Sequence, residues 1–512
     1  MRIARDGIGM IVAMSVLFAL NACNRSDDVG AKMVGSQYAP YHDPPTVRSF
    51  PASAAIVNGW VAAADTVSVR QHGWDMWESI TSAVAKSSEP VWETWYSGHE
   101  IFEVDTTDAI QALARAGGRL ASAEIPRSAT RIRFELPRQS GHHLPRAIAG
   151  IPIERAGSVF SFNRYSQSTA RYIYFQRLWN WSTMRALNDG FNKQNAPVAT
   201  RLVRVSTDTT DSLSVVLKPV FQFIDGFKPS CIPYWAGDTP QVTDSAGKNP
   251  VATQWKQYVI VDPKRELKQK AVRGTTFTNC PISDISWPVV TLDRFYYRRV
   301  DSSMAKSFSS FAEGSGDDLG KLDSATASAI AAMIKVGNIG LLVAMHVTGK
   351  EISNWTWQSF WWSPTPNDSL GFDRPATIGA PWNNYEMTTA YWMTAPPSAT
   401  TKGVPRIAYN PYLETSLTGT VDTNGVQGAR WYGPTTNCMS CHRMASWKDT
   451  VVFDSTTQQL KYAVTGPPGP YVPASYVDPS NATLFSGLTK TDFLWSVAIR
   501  THGIPAYVPP KK

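Results

Sequence analysis

Hydrophobic residues recur at helical spacing over residues 73–86, where Trp74, Trp77, Ile80 and Val84 fall on one face. A second stretch, 166–187, aligns Tyr172, Phe175, Leu178 and Trp179 in the same way and is expected to end at Asn188-Asp189-Gly190. From residue 201 to about 262 the pattern changes to β-branched runs broken by turn residues. Leu202-Val203-Arg204-Val205, Ser214-Val215-Val216-Leu217 and Tyr258-Val259-Ile260-Val261 read as strands. A helix over 324–336, capped by Asp323 or Ser324 and stopped by Gly337, leads into a buried strand over 339–347. A turn at Thr348-Gly349-Lys350 and the Trp-rich run 355–362 follow. A last helix is expected over 490–500, with Thr489 as its cap, Asp492 three residues on and Gly503 beyond its end. Helices and strands that alternate without a regular βαβ period predict an α+β fold, with a large mixed N-terminal region and a β-rich middle.

The first residues carry a different pattern. A charged start, Met1 to Asp6, is followed by an apolar run over 7–20 and then Leu20-Asn21-Ala22-Cys23. That order is the layout of a secretory signal peptide over residues 1–22. The run is too short for a permanent spanning helix, and no other stretch offers about 20 consecutive apolar residues. Leu20, Ala22 and Cys23 resemble the lipobox of bacterial lipoproteins, which makes Cys23 the expected lipidation site; an ordinary signal peptide cut near Ala22 is the alternative. Both lead to export. Residues 23–52, with Asp27, Asp28, Gly30 and Gly35, then read as a lipid-anchored tether at the periplasmic face of a bacterial membrane, or as the start of a soluble periplasmic protein.

A chain of 512 residues has material for several domains. The expected division is a mixed α+β region over 53–363 with no assigned role, a Pro/Gly-rich surface connection over 364–410, and a C-terminal region over 411–512. Nineteen Trp residues, many in pairs such as Trp92/Trp95 and Trp361/Trp362, are read as core rather than as a stacking surface for ligands. The balance of 49 basic and 41 acidic residues leaves +8, a modest excess that suits an acidic redox partner or anionic lipid. No basic run is long enough for nucleic acid. Of five cysteines, Cys231 and Cys280 belong to no motif, and in an oxidising compartment they are expected to pair. Closing that loop would stabilise the fold by about 4 kcal/mol in the chain-entropy model.

The strongest chemical signal is Cys438-Met439-Ser440-Cys441-His442. In a Cys-x-x-Cys-His pentapeptide each thiol adds across one vinyl group of a porphyrin, and the adjacent imidazole lies under the iron. A zinc site would want a second ligand pair at motif spacing, and a thioredoxin-like dithiol would follow a strand, whereas Gly433-Pro434-Thr435-Thr436 precedes this motif. One covalent haem c is therefore expected, with His442 as the proximal ligand.

From residue 437 onward the chain resembles a monohaem c-type cytochrome domain. The resemblance implies a mainly α and loop haem region. It also implies that the glycine-proline stretch over 466–470 lies against the proximal imidazole and that the helix containing Phe493, Leu494, Trp495, Val497 and Ala498 is its C-terminal helix. The sequence departs from that family in having no Met after Met444, so the distal position is open between Met393, with Met387 as a weaker choice, His502, and no protein ligand at all, which would favour an enzyme. The rest of the chain looks like large exported cytochrome c-like proteins. The expected function is electron transfer to or from a redox partner protein or a small-molecule donor or acceptor. A periplasmic haem enzyme, either a dehydrogenase or peroxidase-like, and a ligand-binding lipoprotein with a redox-sensing haem are the alternatives. No GxGxxG in strand-helix context, P-loop, GxSxG or HExxH assigns a second chemistry. His142 and His143 read as loop residues, and His346 as a satisfied core histidine. The mature protein should begin at a modified Cys23 and partition with membranes. Mass spectrometry that finds an unmodified N-terminus beyond residue 23 would exclude the anchor.

Overall fold

The computed structural model describes residues 40–501 apart from 86, 105, 116–123, 128–133, 135–158, 206–213, 238–254, 274–276, 278–279, 281–283, 307–327, 329–330, 369, 396–403, 406–407, 415–436, 450, 455–458 and 463–475. Two sheets organise these residues. In chain order their strands are β1 (Tyr96–Ser97), β2 (Val159–Ser161), β3 (Arg164–Tyr165), β4 (Val215–Ile224), β5 (Ser230–Pro233) and β6 (Tyr258–Asp262). The remainder are β7 (Ala271–Arg273), β8 (Ser286–Thr291), β9 (Tyr297–Arg299), β10 (Ile339–Gly349), β11 (Thr356–Trp362) and β12 (Tyr385–Thr389). The main, eight-stranded sheet runs β1-β3-β4-β10-β11-β12, with β2 on β4 and β9 on β10. The smaller sheet runs β5-β6-β8-β7 and contains one parallel pair, β6 with β8. With the helices around them, these sheets make an α+β fold, and among the described residues no helix is long and apolar enough to cross a membrane.

Strand β10 is central, and every residue of it except His346 is buried. A strand covered on both faces loses the alternation of apolar and polar positions, which is why its sequence reads as a continuous apolar run. The first face is covered by the helix Thr66–Thr81, where Trp77 stacks on Phe360 with ring centroids 4.1 Å apart. The helix comes so close to β12 that a Cβ at Gly73 would lie 2.7 Å from the sulfur of Met387. It starts earlier than the apolar spacing predicts because Asp65 caps it, accepting from the backbone N–H of Ser68 at 3.0 Å. Glu351, just past β10, ties this face together by accepting from the Ala52 N–H at 2.8 Å and from His72 at 2.9 Å.

Elsewhere the elements depart from the sequence pattern for identifiable reasons. The stretch expected as one helix over 166–187 is two, Gln167–Phe175 and Trp181–Lys193. Arg177 takes a positive φ of 55° between them, and Asn180 caps the second helix. Asn188 does not end that helix; buried, it accepts from Arg201 at 2.9 Å and Thr489 at 2.8 Å, so tertiary partners satisfy the side chain that elsewhere competes with helix. Residues 202–205 form no strand: Leu202 makes an isolated bridge to Lys490, and the Val205 N–H goes to the Asp492 carboxylate. Strand β10 runs through Gly349, two residues into the expected turn. The Pro/Gly-rich segment is more than a surface connection, since it contributes β12, whose Tyr385 and Met387 are core residues. Of the helix expected over 490–500 only Trp495–Ile499 forms; Thr489–Lys490 instead pairs with Ser446–Trp447. Of the helix expected over 324–336, residues 324–327 and 329–330 lie outside the described residues, while 328 and 331–333 are helical.

Most paired tryptophans are core, with Trp74, Trp77, Trp92, Trp95, Trp179 and Trp362 fully buried. A disulfide joins Cys231 in β5 to Cys280. The described C-terminal part consists of short helices and short strand pairs, and Cys438, Trp447 and Val497 share one apolar cluster with Tyr96, Trp179 and Trp355. The region of the Cys-x-x-Cys-His sequence therefore packs into the same core as the residues before it.

One buried ionic group anchors the β9 side. Glu93 receives Arg298 Nε at 2.9 Å and Nη2 at 2.5 Å and the Tyr296 hydroxyl at 2.6 Å. Burial alone would raise the Glu93 carboxyl, but the Arg298 guanidinium holds it below its ordinary value of 4.5. A depressed carboxyl contributes stability at pH values above its unfolded value, and that stability is lost as pH falls through the folded value. Arg298→Met should therefore cost about 3–5 kcal/mol at neutral pH by stranding a buried carboxylate. Urea titrations of both proteins check this, and the gap should narrow below pH about 4.5, where the carboxyl takes up its proton.

Candidate functional site

The Cys-x-x-Cys-His motif forms a six-residue helix, Cys438–Arg443. Asn437 caps it, accepting from the Ser440 N–H at 3.0 Å. The same side chain donates to the carbonyls of Trp392 and Met393 at 3.3 and 3.2 Å, so one residue starts the helix and ties it to the chain after β12. A spacing of three places Cys438 and Cys441 on one helix face, and both thiols are free. Burial, reinforced by the Glu414 carboxylate, pushes the Cys438 thiol well up and the Cys441 thiol up to about 12. Both are neutral at physiological pH, the opposite of the thiolate environment that a dithiol redox centre builds.

His442 is held on two sides. Its Nδ1 donates to the Phe493 carbonyl at 2.7 Å, and its ring lies against Trp357 with centroids 4.3 Å apart. A carbonyl can only accept, so Nδ1 carries the proton and Nε2 the lone pair. Burial lowers the imidazole pKa to about 4, which keeps the ring neutral. Nε2 makes no hydrogen bond among the described residues. Metal-binding histidines are oriented in this way, by a backbone or carboxylate acceptor on the far nitrogen.

Phe493 presents its carbonyl from a strained backbone, with φ of 48° at Asp492 and 70° at Phe493. For non-glycine residues this left-handed region costs about 1–2 kcal/mol each. The cost is offset through Asp492, whose buried carboxylate accepts from Lys350 Nζ at 2.6 Å and from the Val205 N–H at 3.1 Å. Lys350 directly follows β10; burial lowers its pKa and Asp492 opposes that shift. Arg443, the last residue of the motif helix, donates to Asn354 at 2.8 Å in the β10–β11 turn.

The motif helix sits over the second face of the main sheet. Register places Lys218, His346, Ser359 and Thr388 in one row across β4, β10, β11 and β12, one position out of phase with Phe360 and therefore on the opposite side. Above that row Asn410 donates to the Ser359 hydroxyl at 2.9 Å and to the Phe360 carbonyl at 3.2 Å, and its N–H gives a 2.6 Å bond to Glu414. Glu414, at the end of the helix Pro411–Glu414, then stands 3.4 Å from His346 Nε2. Burial alone would raise the Glu414 carboxyl, but His346 and the Asn410 N–H bring it below its ordinary value. The ligand atoms of His346, Glu414 and Cys438 all lie within 4.8 Å of one another.

The donor set is one that a covalent haem would use: two neutral thiols on one helix face, and an imidazole beside the Trp357 ring whose Nε2 makes no hydrogen bond among the described residues. Cys438, Cys441 and His442 lie on one short helix. Met393 is buried in the same apolar cluster as Cys438, whereas Met387 lies on the other face of the sheet, against Gly73. His502, Cys23, His142, His143 and the glycine-proline stretch 466–470 lie outside the described residues. The acceptor for His442 Nδ1 is the Phe493 carbonyl. His346, expected as a satisfied core histidine, is partly exposed and reaches into the site. Phe493, Asp492, Glu414 and Trp357 carry no linear signal, because each is brought to the motif by packing across the sheet.

Asp492→Ala leaves Lys350 buried without its carboxylate and should cost about 3–5 kcal/mol, read as a lowered urea midpoint. A variant as stable as its parent would show that the ion pair does not hold this turn. Comparison with protein families, with curated proteins and with solved structures returned no match, so the functional reading rests on the residues of this chain.

Proposed function

We propose that this chain is an exported redox protein that passes single electrons through one covalent haem c, held by Cys438, Cys441 and His442, within a cytochrome c-like region of short helices and loops. The observation that carries the reading is the His442 imidazole, neutral, fixed by the Phe493 carbonyl and left with a free Nε2, on the helix that also presents both thiols. Haem supplies one-electron exchange between ferrous and ferric iron. The protein's part is to set the potential and the access. Phe493 orients the proximal imidazole and raises its basicity, while Trp357 and the apolar cluster around Cys438 limit water at the site.

The lipobox-like start adds a location to the proposal, with lipid on Cys23 holding the protein at the periplasmic face of a bacterial membrane. Its partners there would be a redox protein or a small donor or acceptor. The test is expression with a haem-attachment system. Haem stain should stay with the band in denaturing gels, because two thioether bonds survive unfolding. Cys438→Ala and Cys441→Ala should each weaken the stain, and His442→Ala should leave the haem without its proximal imidazole and change its spectrum. A wild-type band that takes no stain overturns the reading.

A further inference from the structure

We propose that His346 is the second axial ligand of the haem iron and that Glu414 is its positioning residue. The inference deepens the haem reading and rests on it. His346 alone among the eleven residues of β10 is not buried, and its row on the sheet faces the motif helix. Its imidazole and the Cys438 thiol are brought within 4.8 Å through two distant parts of the chain.

At His346 a carboxylate stands where a carbonyl stands at His442. Glu414, fixed by the Asn410 N–H, lies 3.4 Å from His346 Nε2. A proton shared with that carboxylate would sit on Nε2 and leave the Nδ1 lone pair for the iron. Nδ1 has no hydrogen-bond partner among the described residues. The site therefore contains two imidazoles, each with one nitrogen facing an acceptor and the other without a hydrogen bond among the described residues. A carboxylate behind a ligating histidine fixes its tautomer and raises its basicity.

The rivals are less well placed. Met387 is on the wrong face of the sheet, behind Gly73. Met393 is buried close by, but its carbonyl is tied to the Asn437 side chain at the start of the motif helix. His346, by contrast, stands on the central strand of the main sheet, and a ligand on a rigid strand is positioned more narrowly than one on a connection. Two imidazole ligands give a lower potential than the imidazole-methionine pair.

The test uses the full chain with haem attached, comparing the ferric spectra of the wild type, His346→Ala, His346→Met and Met393→Ala. The wild type should be low-spin. His346→Ala should become high-spin while keeping its haem stain and its circular dichroism, and added imidazole should restore the low-spin spectrum. His346→Met should stay low-spin and gain a sulfur-to-iron band at the red end of the visible range. Glu414→Gln should remain low-spin with its midpoint potential shifted upward, because the ligand loses basicity. A wild type that is already high-spin, an unchanged low-spin spectrum in His346→Ala, or conversion by Met393→Ala in its place overturns the assignment. An unstained wild type fails the haem reading itself, and elemental analysis showing zinc would then give the site to a protein-held metal.

Discussion

The buried ion pair between Lys350 and Asp492 is the joint on which the site depends. Lys350 directly follows the central strand, and Asp492 begins the turn that aims the Phe493 carbonyl at His442. Two consecutive non-glycine residues with positive φ would not persist in isolation. They persist because the carboxylate between strand and turn has two donors and no access to water. A buried pair of this kind adds little net stability compared with apolar residues of the same volume, but it is strongly specific about what lies next to what. Here it sets the position of the C-terminal segment against the main sheet, and with it the orientation of one imidazole.

The sheet separates two tasks by its two faces. On one, Trp74, Trp77, Phe360 and Met387 pack tightly against the helix Thr66–Thr81, where large aromatic area is buried and polar side chains are few. On the other, polar and charged side chains stand in a row and meet the motif helix. Strand alternation makes this division possible within the same residues: Phe360 and Trp357 belong to one strand and serve opposite faces. A one-residue slip of β10 would exchange His346 for an apolar neighbour, so the large apolar core on the first face also guards the chemistry on the second.

Charge is handled sparingly around the motif. Both thiols and His442 are neutral, and Glu414 is the anionic group set among them, bonded to the chain at Asn410. In the proposed haem reading, a ferric iron-porphyrin would bring its own positive charge, and a fixed carboxylate near it would favour that state.

Much of this was legible in the linear chain. Spacing alone places both thiols and the His442 imidazole on one short helix, because helix geometry is local. The central strands β4, β6 and β10 are legible too, since β-branched runs have few other places to go. What stayed hidden depends on residues far apart in sequence. Thr489, Asp492 and Phe493 look like the start of a helix until Lys350 claims the Asp492 carboxylate and strand pairing claims Thr489. The strand over Tyr385–Thr389 is masked by proline and glycine on both sides and exists because β11 offers it an edge. His346 looks like one polar atom group in an apolar run. Whether it packs or ligates depends on which face its register selects and on Glu414 arriving above it, and neither is encoded within a few residues of position 346. Local covalent and helical geometry wrote the motif into the sequence; the surroundings that tune it come from long-range packing, which no local pattern specifies.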